Sequence, residues 1–446
     1  MRAGRLKIVL VAAFTSAAVL IGPDVASAAA GLPAGSGAAG TGPGSVLWAS
    51  EQAGDGHAVA VDPKGGMVFV AGSGGLVAYD AGTGAQLWDN AAGAGLSVAV
   101  TPDGHVVFVI NAVRNSGANW DFSTAAFDTA TGKPLWARRY NGRANGDDRP
   151  VALAVSPGGG TVFVTGTSKG KTSGFDYATV AYAAATGRQL WASRYNGHGR
   201  STDSPAAIAV RPRGGAVFVT GTSAYDFATV AYTASTGATL WTKRYGRASG
   251  HDFASSVAVS LNGRRVFVTG ASPGRTGAYD FATIAYTAAS GARLWVRRYG
   301  HARPAAVFVS PLGGGTVLVA GTSQRSRRDT GYLAVAYSAL TGRTERVSLF
   351  VDPDFEVENV LAAAISPDGR SFYLTGAAES VPAAPAQALT VAAKIATGAL
   401  SWQQVPEGVQ IGRSVAVSPD SGTVYVVVDG GGGCTTACFT TTAFRA

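Results

Sequence analysis

Apolar and polar residues alternate along most of this chain in short runs, and the runs come in sets of four. In one set "AAIAV" (206–210) is followed by the turn "RPRG" (211–214), then "AVFVTG" (216–221) and "DFATVAY" (226–232). After a tight "TG" turn (236–237) comes "TLWTKRY" (239–245). Runs of this length with period-two alternation, bounded by turn residues, predict β-strands. The same order restarts at "HAVAV" (57), "LSVAV" (96), "VALAV" (151), "SSVAV" (255), "AAVFV" (305) and "LAAAI" (361). A tryptophan marks the fourth strand of a set, at Trp48, Trp88, Trp136, Trp191, Trp241, Trp295 and Trp402. Each internal one stands four residues after a turn glycine, and Arg346, four after Gly342, occupies the place of the missing member.

A strand-rich repeat of roughly 50 residues predicts a propeller or a solenoid. After Trp402 come "SVAV" (414–417), "TVYVVV" (423–428) and "FTTTAF" (439–444) without a fourth strand, while "VLWAS" (46–50) is a fourth strand without a set. Joined, they make one blade from both ends of the repeat region and close a ring, which removes the unpaired edges of an open array. A solenoid would need polar caps, and neither end offers one. The expectation is an all-β protein, an eight-bladed β-propeller of four-stranded antiparallel blades over residues 45–446, with seven blades as the competing count.

The stretches "AYDAGTGAQLW" (78–88) and "AAFDTATGKPLW" (125–136) resemble the repeat that docks a tryptophan between blades in the quinoprotein, or PQQ-like, β-propeller superfamily. "VFVTGTS" followed by "DYATVAY" is similar to repeats of secreted bacterial PQQ-like and YVTN-type propellers. The resemblance covers residues 45–446 and speaks for architecture, since the shared residues are scaffold. For the dehydrogenases of that superfamily it implies adjacent cysteines over the PQQ cofactor and a carboxylate and amide cluster holding calcium. Here Cys434 and Cys438 are separated by three residues near the chain's end, and no such cluster aligns. Neither PQQ nor calcium is therefore expected as a cofactor.

Composition changes this picture in two respects. The chain carries 61 Gly and only 14% charged residues, against a long-helix protein, and its net charge of +9 favours polyanionic partners. Residues 1–28 read as a signal peptide: Arg2, Arg5 and Lys7, then "IVLVAAFTSAAVLI" (8–21), then "ASA" (26–28). That apolar core is too short to span a bilayer. Residues 29–44 form a Gly/Ala/Pro linker. The mature chain is expected outside the cell, secreted or wall-associated, as a monomer without a membrane span. In that compartment Cys434 and Cys438 are expected to form a local disulfide.

Propeller topology sorts the loops. Turns between strands one and two and between three and four share one face and are short here. The connections between strands two and three and the crossovers to the next blade share the other; they are long and varied, as in "NGRANGDDRP", "NGHGRSTDSP" and "TSKGKTSGF". Variable loops on a rigid frame collect binding residues. There "RRY", "SRY" and "KRY" lead to Asp148, Asp203 and Asp252, with Arg139, Arg194 and Arg244 eight or nine residues before each acid. That spacing reads as Arg-to-Asp bridges fixing the crossovers, or as a ring of ligand contacts. His57, His198, His251 and His301 fall in crossovers at differing offsets, against a shared metal site. In "VDPDFEVEN" (351–359) Asp352, Asp354, Glu356 and Glu358 would share one side if extended, and Asp352, Asp354 and Glu356 are the candidate calcium ligands. Trp120, the tryptophan outside the repeat, would stack on a sugar or lie under its own loop.

No nucleophile motif, Ser–His–Asp arrangement or phosphate loop stands out, and no catalytic residue is assigned. The reading is a secreted, non-enzymatic binding or interaction scaffold whose long-loop face takes a protein or an anionic cell-wall or extracellular glycan. Nucleic acid is not expected in an exported chain without recognition motifs. The alternative is an extracellular enzyme, an oxidoreductase or a carbohydrate-active lyase or hydrolase, on the same face. Geometry separates the two: convergence of His198, His251, Asp203 and Asp252 on one open pocket favours the enzyme, and local pairing favours binding.

Overall fold

A computed structural model describes residues 41–446 apart from 118, 198–200, 247–249, 276, 313–314, 327–328, 381–385, 407–409 and 431–437. The signal segment 1–28, most of the 29–44 linker, His198 and Cys434 lie outside the described residues. The chain forms eight four-stranded antiparallel sheets arranged as a ring. Blades 1 to 8 begin with the innermost strands Gly56–Val61, Ser97–Val100, Asp148–Val155, Asp203–Val210, Phe253–Val259, Ala302–Val309, Val357–Ile365 and Ile411–Val417. In blade 4 the following strands are Ala216–Ser223, Asp226–Thr233 and Thr239–Tyr245. No helix among the described residues is long and apolar enough to cross a membrane.

The eighth blade is built as the pattern predicts. Val46–Ala53 pairs antiparallel with Cys438–Arg445, Trp48 opposite Ala443. The Gly44 N–H donates to the Arg445 carbonyl at 2.8 Å and the Arg445 N–H to the Ser45 carbonyl at 2.9 Å. In blades 1 and 3 to 8 the innermost strand starts earlier than its apolar run suggests. In blade 4 a register shift between Pro205 and Ala207 carries the chain past a proline that has no N–H to give, so Asp203 still pairs with Ser223.

The hydrophobic core is divided into layers between adjoining blades. Phe218, Phe227 and Trp241 of blade 4, for instance, pack with Val257, Val266 and Ile284 of blade 5. Equivalent clusters fill the other junctions, including that between blades 8 and 1, where Trp48 and Tyr425 meet Val68 and Tyr79. Because each sheet is covered on both faces, its second strand is buried on both sides, as in the Val217–Thr220 segment. Where threonines enter this layer they pair across strands, Thr220 with Thr229 at 3.0 Å and Thr165 with Thr179 at 3.1 Å.

The repeated tryptophan joins blade to blade. Trp241 donates its indole N–H to the Ala288 carbonyl of blade 5 at 3.0 Å, as Trp191 does to Ala234 at 2.9 Å and Trp136 to Ala184 at 2.8 Å. Its ring lies on the next blade's turn glycine: a Cβ on Gly291, at φ +67°, would stand 2.7 Å from the indole. Glycine is thus required twice, for the left-handed turn and for the indole's approach. Arg346 fills the vacant place by function, its guanidinium donating to the Ile395 carbonyl at 2.6 Å.

Truncating this contact should be costly. Trp241→Ala is expected to lose about 3–5 kcal/mol of stability. Gly291→Ala should cost more in the native background than in Trp241→Ala, by about 1–3 kcal/mol, because part of its penalty is collision with the indole. Denaturant titration of the four variants checks both; additive losses would contradict the assignment.

Candidate functional site: the long-loop face

On the long-loop face each of blades 3 to 5 carries a polar row across its sheet. In blade 3, Asp148 on the first strand pairs in register with Ser168 on the second, and Ser168 with Asp176 on the third. Arg194 on the fourth strand reaches back over them: it donates to Asp176 at 2.7 Å, to the Ser168 carbonyl at 2.9 Å, and to the Ser168 hydroxyl. Blade 4 repeats this with Arg244, Asp226 at 3.0 Å and the Ser223 carbonyl at 2.7 Å; blade 5 does so with Arg298, Asp280 at 2.9 Å and the Ser272 carbonyl at 3.0 Å. The tyrosine of the "RY" motif serves the next blade, since Arg298 also donates to the Tyr245 hydroxyl at 3.2 Å.

This corrects the expected bridges. Arg194 pairs with Asp176, eighteen residues earlier, in place of Asp203, and Arg244 with Asp226 in place of Asp252. Arg139 donates to the Arg114 carbonyl at 3.4 Å in place of Asp148. The antiparallel register is the cause: it sets Arg194 opposite Ala178, beside the start of the third strand, while the crossover carries the following acid to the innermost strand of the next blade.

The acids at the crossovers have another task. Asp148 accepts the Gly142 N–H at 2.5 Å and Asp203 the Gly197 N–H at 2.6 Å, each six residues back, so each carboxylate folds its own crossover onto the blade. Both are fully buried, and burial raises their pKa values above the usual carboxylate range. Glu358 does the same in blade 7, accepting the Asp352 N–H at 2.7 Å. Its signal was present, since it stands seven residues before the end of its innermost strand, as Asp148 and Asp203 do. Burial, helped by the Asp352 charge, pushes Glu358 up to about 7. Asp252 is likewise buried, its backbone N–H on the Tyr225 carbonyl at 2.7 Å.

The acidic segment is not extended, which removes the shared side expected for its carboxylates. Pro353 and Asp354 form a turn closed by the Phe355 N–H on the Asp352 carbonyl at 3.1 Å, and strand begins only at Val357. Buried Asp352 takes the Asp354 N–H at 3.0 Å and the Gln403 amide at 2.9 Å, whereas Asp354 and Glu356 face outward. Among the described residues no three His, Cys, Asp or Glu side chains gather as metal ligands. The histidines are dispersed too: the His57 ring meets the Gly95 carbonyl at 3.0 Å, His251 lies 4.0 Å from the Tyr225 ring, and the His301 N–H donates to Asp280 at 3.3 Å. Cys438 is buried at the start of the last strand.

Trp120 is not in a loop but opens the third strand of blade 2, Trp120–Asp128. The guanidiniums of Arg114 and Arg149 lie over its ring, 4.8 and 5.4 Å from the centroid. Asp148, Asp203 and Glu358 of the innermost strands are committed to backbone N–H groups, and among the described residues no three His, Cys, Asp or Glu side chains gather that would hold the calcium that accompanies PQQ.

Eight four-stranded blades, each joined to the next by an indole or its guanidinium substitute on a turn, define a PQQ-like β-propeller. The chain belongs to the family described as outer membrane protein assembly factor BamB, which matches residues 38–179 and 176–427. Among solved structures it is similar to the Dos1 propeller, at 10% identity and a TM-score of 0.59 over 90% of this chain and 94% of that one. It is also similar to the quinohemoprotein alcohol dehydrogenase from Comamonas testosteroni, at 13% identity and a TM-score of 0.59 over 89% and 76%. The quinohemoprotein alcohol dehydrogenase ADHIIG from Pseudomonas putida HK5 aligns at 13% identity and a TM-score of 0.56 over 90% and 76%. At these identities the likeness is one of fold. No curated protein matches the chain.

Glu358 yields a pH prediction. Its folded pKa, about 7, lies above the ordinary 4.5, so the fold favours the protonated form. Its stabilising contribution is complete below pH ~4.5 and is lost as pH rises toward ~7, an effect of about 3 kcal/mol. Glu358→Gln keeps an acceptor for the Asp352 N–H and should flatten that loss. Thermal midpoints of both proteins between pH 5 and 8 test it, and parallel curves would refute the assignment.

Proposed function

We propose that this protein is an exported, non-catalytic binding scaffold whose long-loop face takes an extracellular protein or glycan. One observation carries the reading: the acids an enzyme of this face would use, Asp148, Asp203 and Asp252, are buried, the first two accepting backbone N–H groups of their own crossovers. The same face turns cations and rings outward, with Tyr225 58% and Phe253 44% exposed. Large exposed aromatics beside cations are a feature of binding surfaces. The family's description as an outer membrane assembly factor suits a propeller that works by contact outside the cytoplasm. The basic balance, +9 for the full chain and +7 without Arg2, Arg5, Lys7 and Asp24 of residues 1–28, favours an anionic partner.

Two measurements test the reading. A ligand of the folded state raises the apparent thermal midpoint, by an amount worth about 2.7 kcal/mol at a hundredfold excess over Kd. Wall glycans are expected to give such a shift and PQQ with calcium none; a large shift with PQQ and calcium alone would overturn the non-catalytic reading. N-terminal sequencing of protein recovered from the medium should begin at Ala29, and an intact Met1 would contradict export by cleavage.

A further inference from the structure

Four successive blades present an aromatic residue at the same place on the long-loop face, at or just before the third strand and directly ahead of an aspartate: Trp120, Phe175, Tyr225 and Tyr279. Each is paired with a basic side chain. Arg114 and Arg149 lie over Trp120, Lys169 over Phe175 at 5.0 Å, and Arg303 over Tyr279 at 4.7 Å, while His251 packs on Tyr225. Phe253 links the last two: it stacks with His251 at 6.1 Å and meets Tyr279 at 6.1 Å. A ring beneath a guanidinium fixes the group's position, and Arg149 is further held by Asp147 at 3.6 Å.

The two-residue turn that carries Tyr225 needs left-handed backbone at residues poorly suited to it. Ala224 and Tyr225 both have positive φ, +45° and +71°, where glycine or asparagine is usual in such a two-residue turn. Left-handed backbone at bulky residues costs of order 1 kcal/mol or more each and persists where a site needs it. Here it projects a phenol that is more than half exposed.

Granting that the long-loop face is the binding face, we propose that this arc over blades 2 to 5 is a strip for a linear anionic polysaccharide of uronate type. A site repeated once per blade suits a ligand that repeats along its length. A uronate residue offers both things the strip alternates, an apolar C–H face for Tyr225 and Phe253 and a carboxylate for Lys169 and Arg303. The net charge of +9 complements such a chain.

Calorimetric titration with short and long oligogalacturonates tests this, with malto-oligosaccharides, polyglutamate and oligothymidylate alongside. Galacturonate should bind more tightly than all three, and more tightly as it lengthens, because further blades engage. Tyr225→Gly relieves the turn, so it should fold with an unlowered thermal midpoint yet weaken galacturonate binding at least about tenfold, as should Arg303→Ala. Equal binding of polyglutamate or oligothymidylate, or unchanged affinity in Tyr225→Gly, would overturn the strip while leaving the face. An amide-exchange footprint confined to the opposite, short-turn face would overturn the face itself.

Discussion

Everything in this ring depends on one contact, the indole of one blade resting on the turn glycine of the next. A four-stranded blade has apolar surface on both sides and cannot bury either alone. The indole covers one side, and its N–H reaches a carbonyl just before the neighbour's turn, so each junction is fixed in height as well as in distance. Arg346 meets the same requirement with different chemistry, a long side chain whose guanidinium finds the equivalent carbonyl. The joint between blades 7 and 8 is the least complete. Trp402 still lies against a glycine, Gly44, but its buried N–H finds no acceptor, because the chain segments that would form that turn are the two ends of the repeat region. An unmet buried donor costs about 1–3 kcal/mol, and that junction carries it.

With packing handled between blades, the long-loop face is free to vary. Its own order comes from the polar rows, in which an arginine of the fourth strand, a serine of the second and an aspartate of the third bind one another within a blade. These rows tie the outermost strand back to the middle of the sheet at the end where no short turn does so. The buried acids then hold each crossover against the innermost strand. Varied loops can be carried on this base without disturbing the layers beneath.

The sequence made the frame legible because strand period, turn glycine and tryptophan are local signals repeated many times over. Even the joining of Val46–Ala53 to the last blade follows from a strand without a set and a set without a strand. The face was harder to read. Arg194 and Asp203 look paired along the chain, but the partner of Arg194 is Asp176, brought close by antiparallel register and not by sequence proximity. Asp352, Asp354 and Glu356 alternate as a strand would, and a proline turn cancels the alternation. The role of Glu358 was visible only as an offset from the end of its innermost strand, a signal obscured by the acidic cluster around it. Of the four rings only Trp120 stood out in the sequence, as a tryptophan outside the repeat; Phe175, Tyr225 and Tyr279 look like the starts of ordinary strands, and their shared place ahead of a third-strand aspartate sets them on one face.

Around the crossover acids of blades 3, 4 and 7 charge is sorted by depth, while Asp354 and Glu356 face outward. Carboxylates lie beneath, where burial raises the pKa values of Asp148, Asp203 and Glu358 and backbone N–H groups occupy them. Guanidinium and ammonium groups lie above, resting on aromatic faces. The third-strand aspartates Asp176, Asp226 and Asp280 are engaged by Arg194, Arg244 and Arg298. On the proposed binding role, the rings and cations of this face are held from below by the polar rows and buried acids, and rigidity before contact lowers the entropy cost of binding an extended ligand.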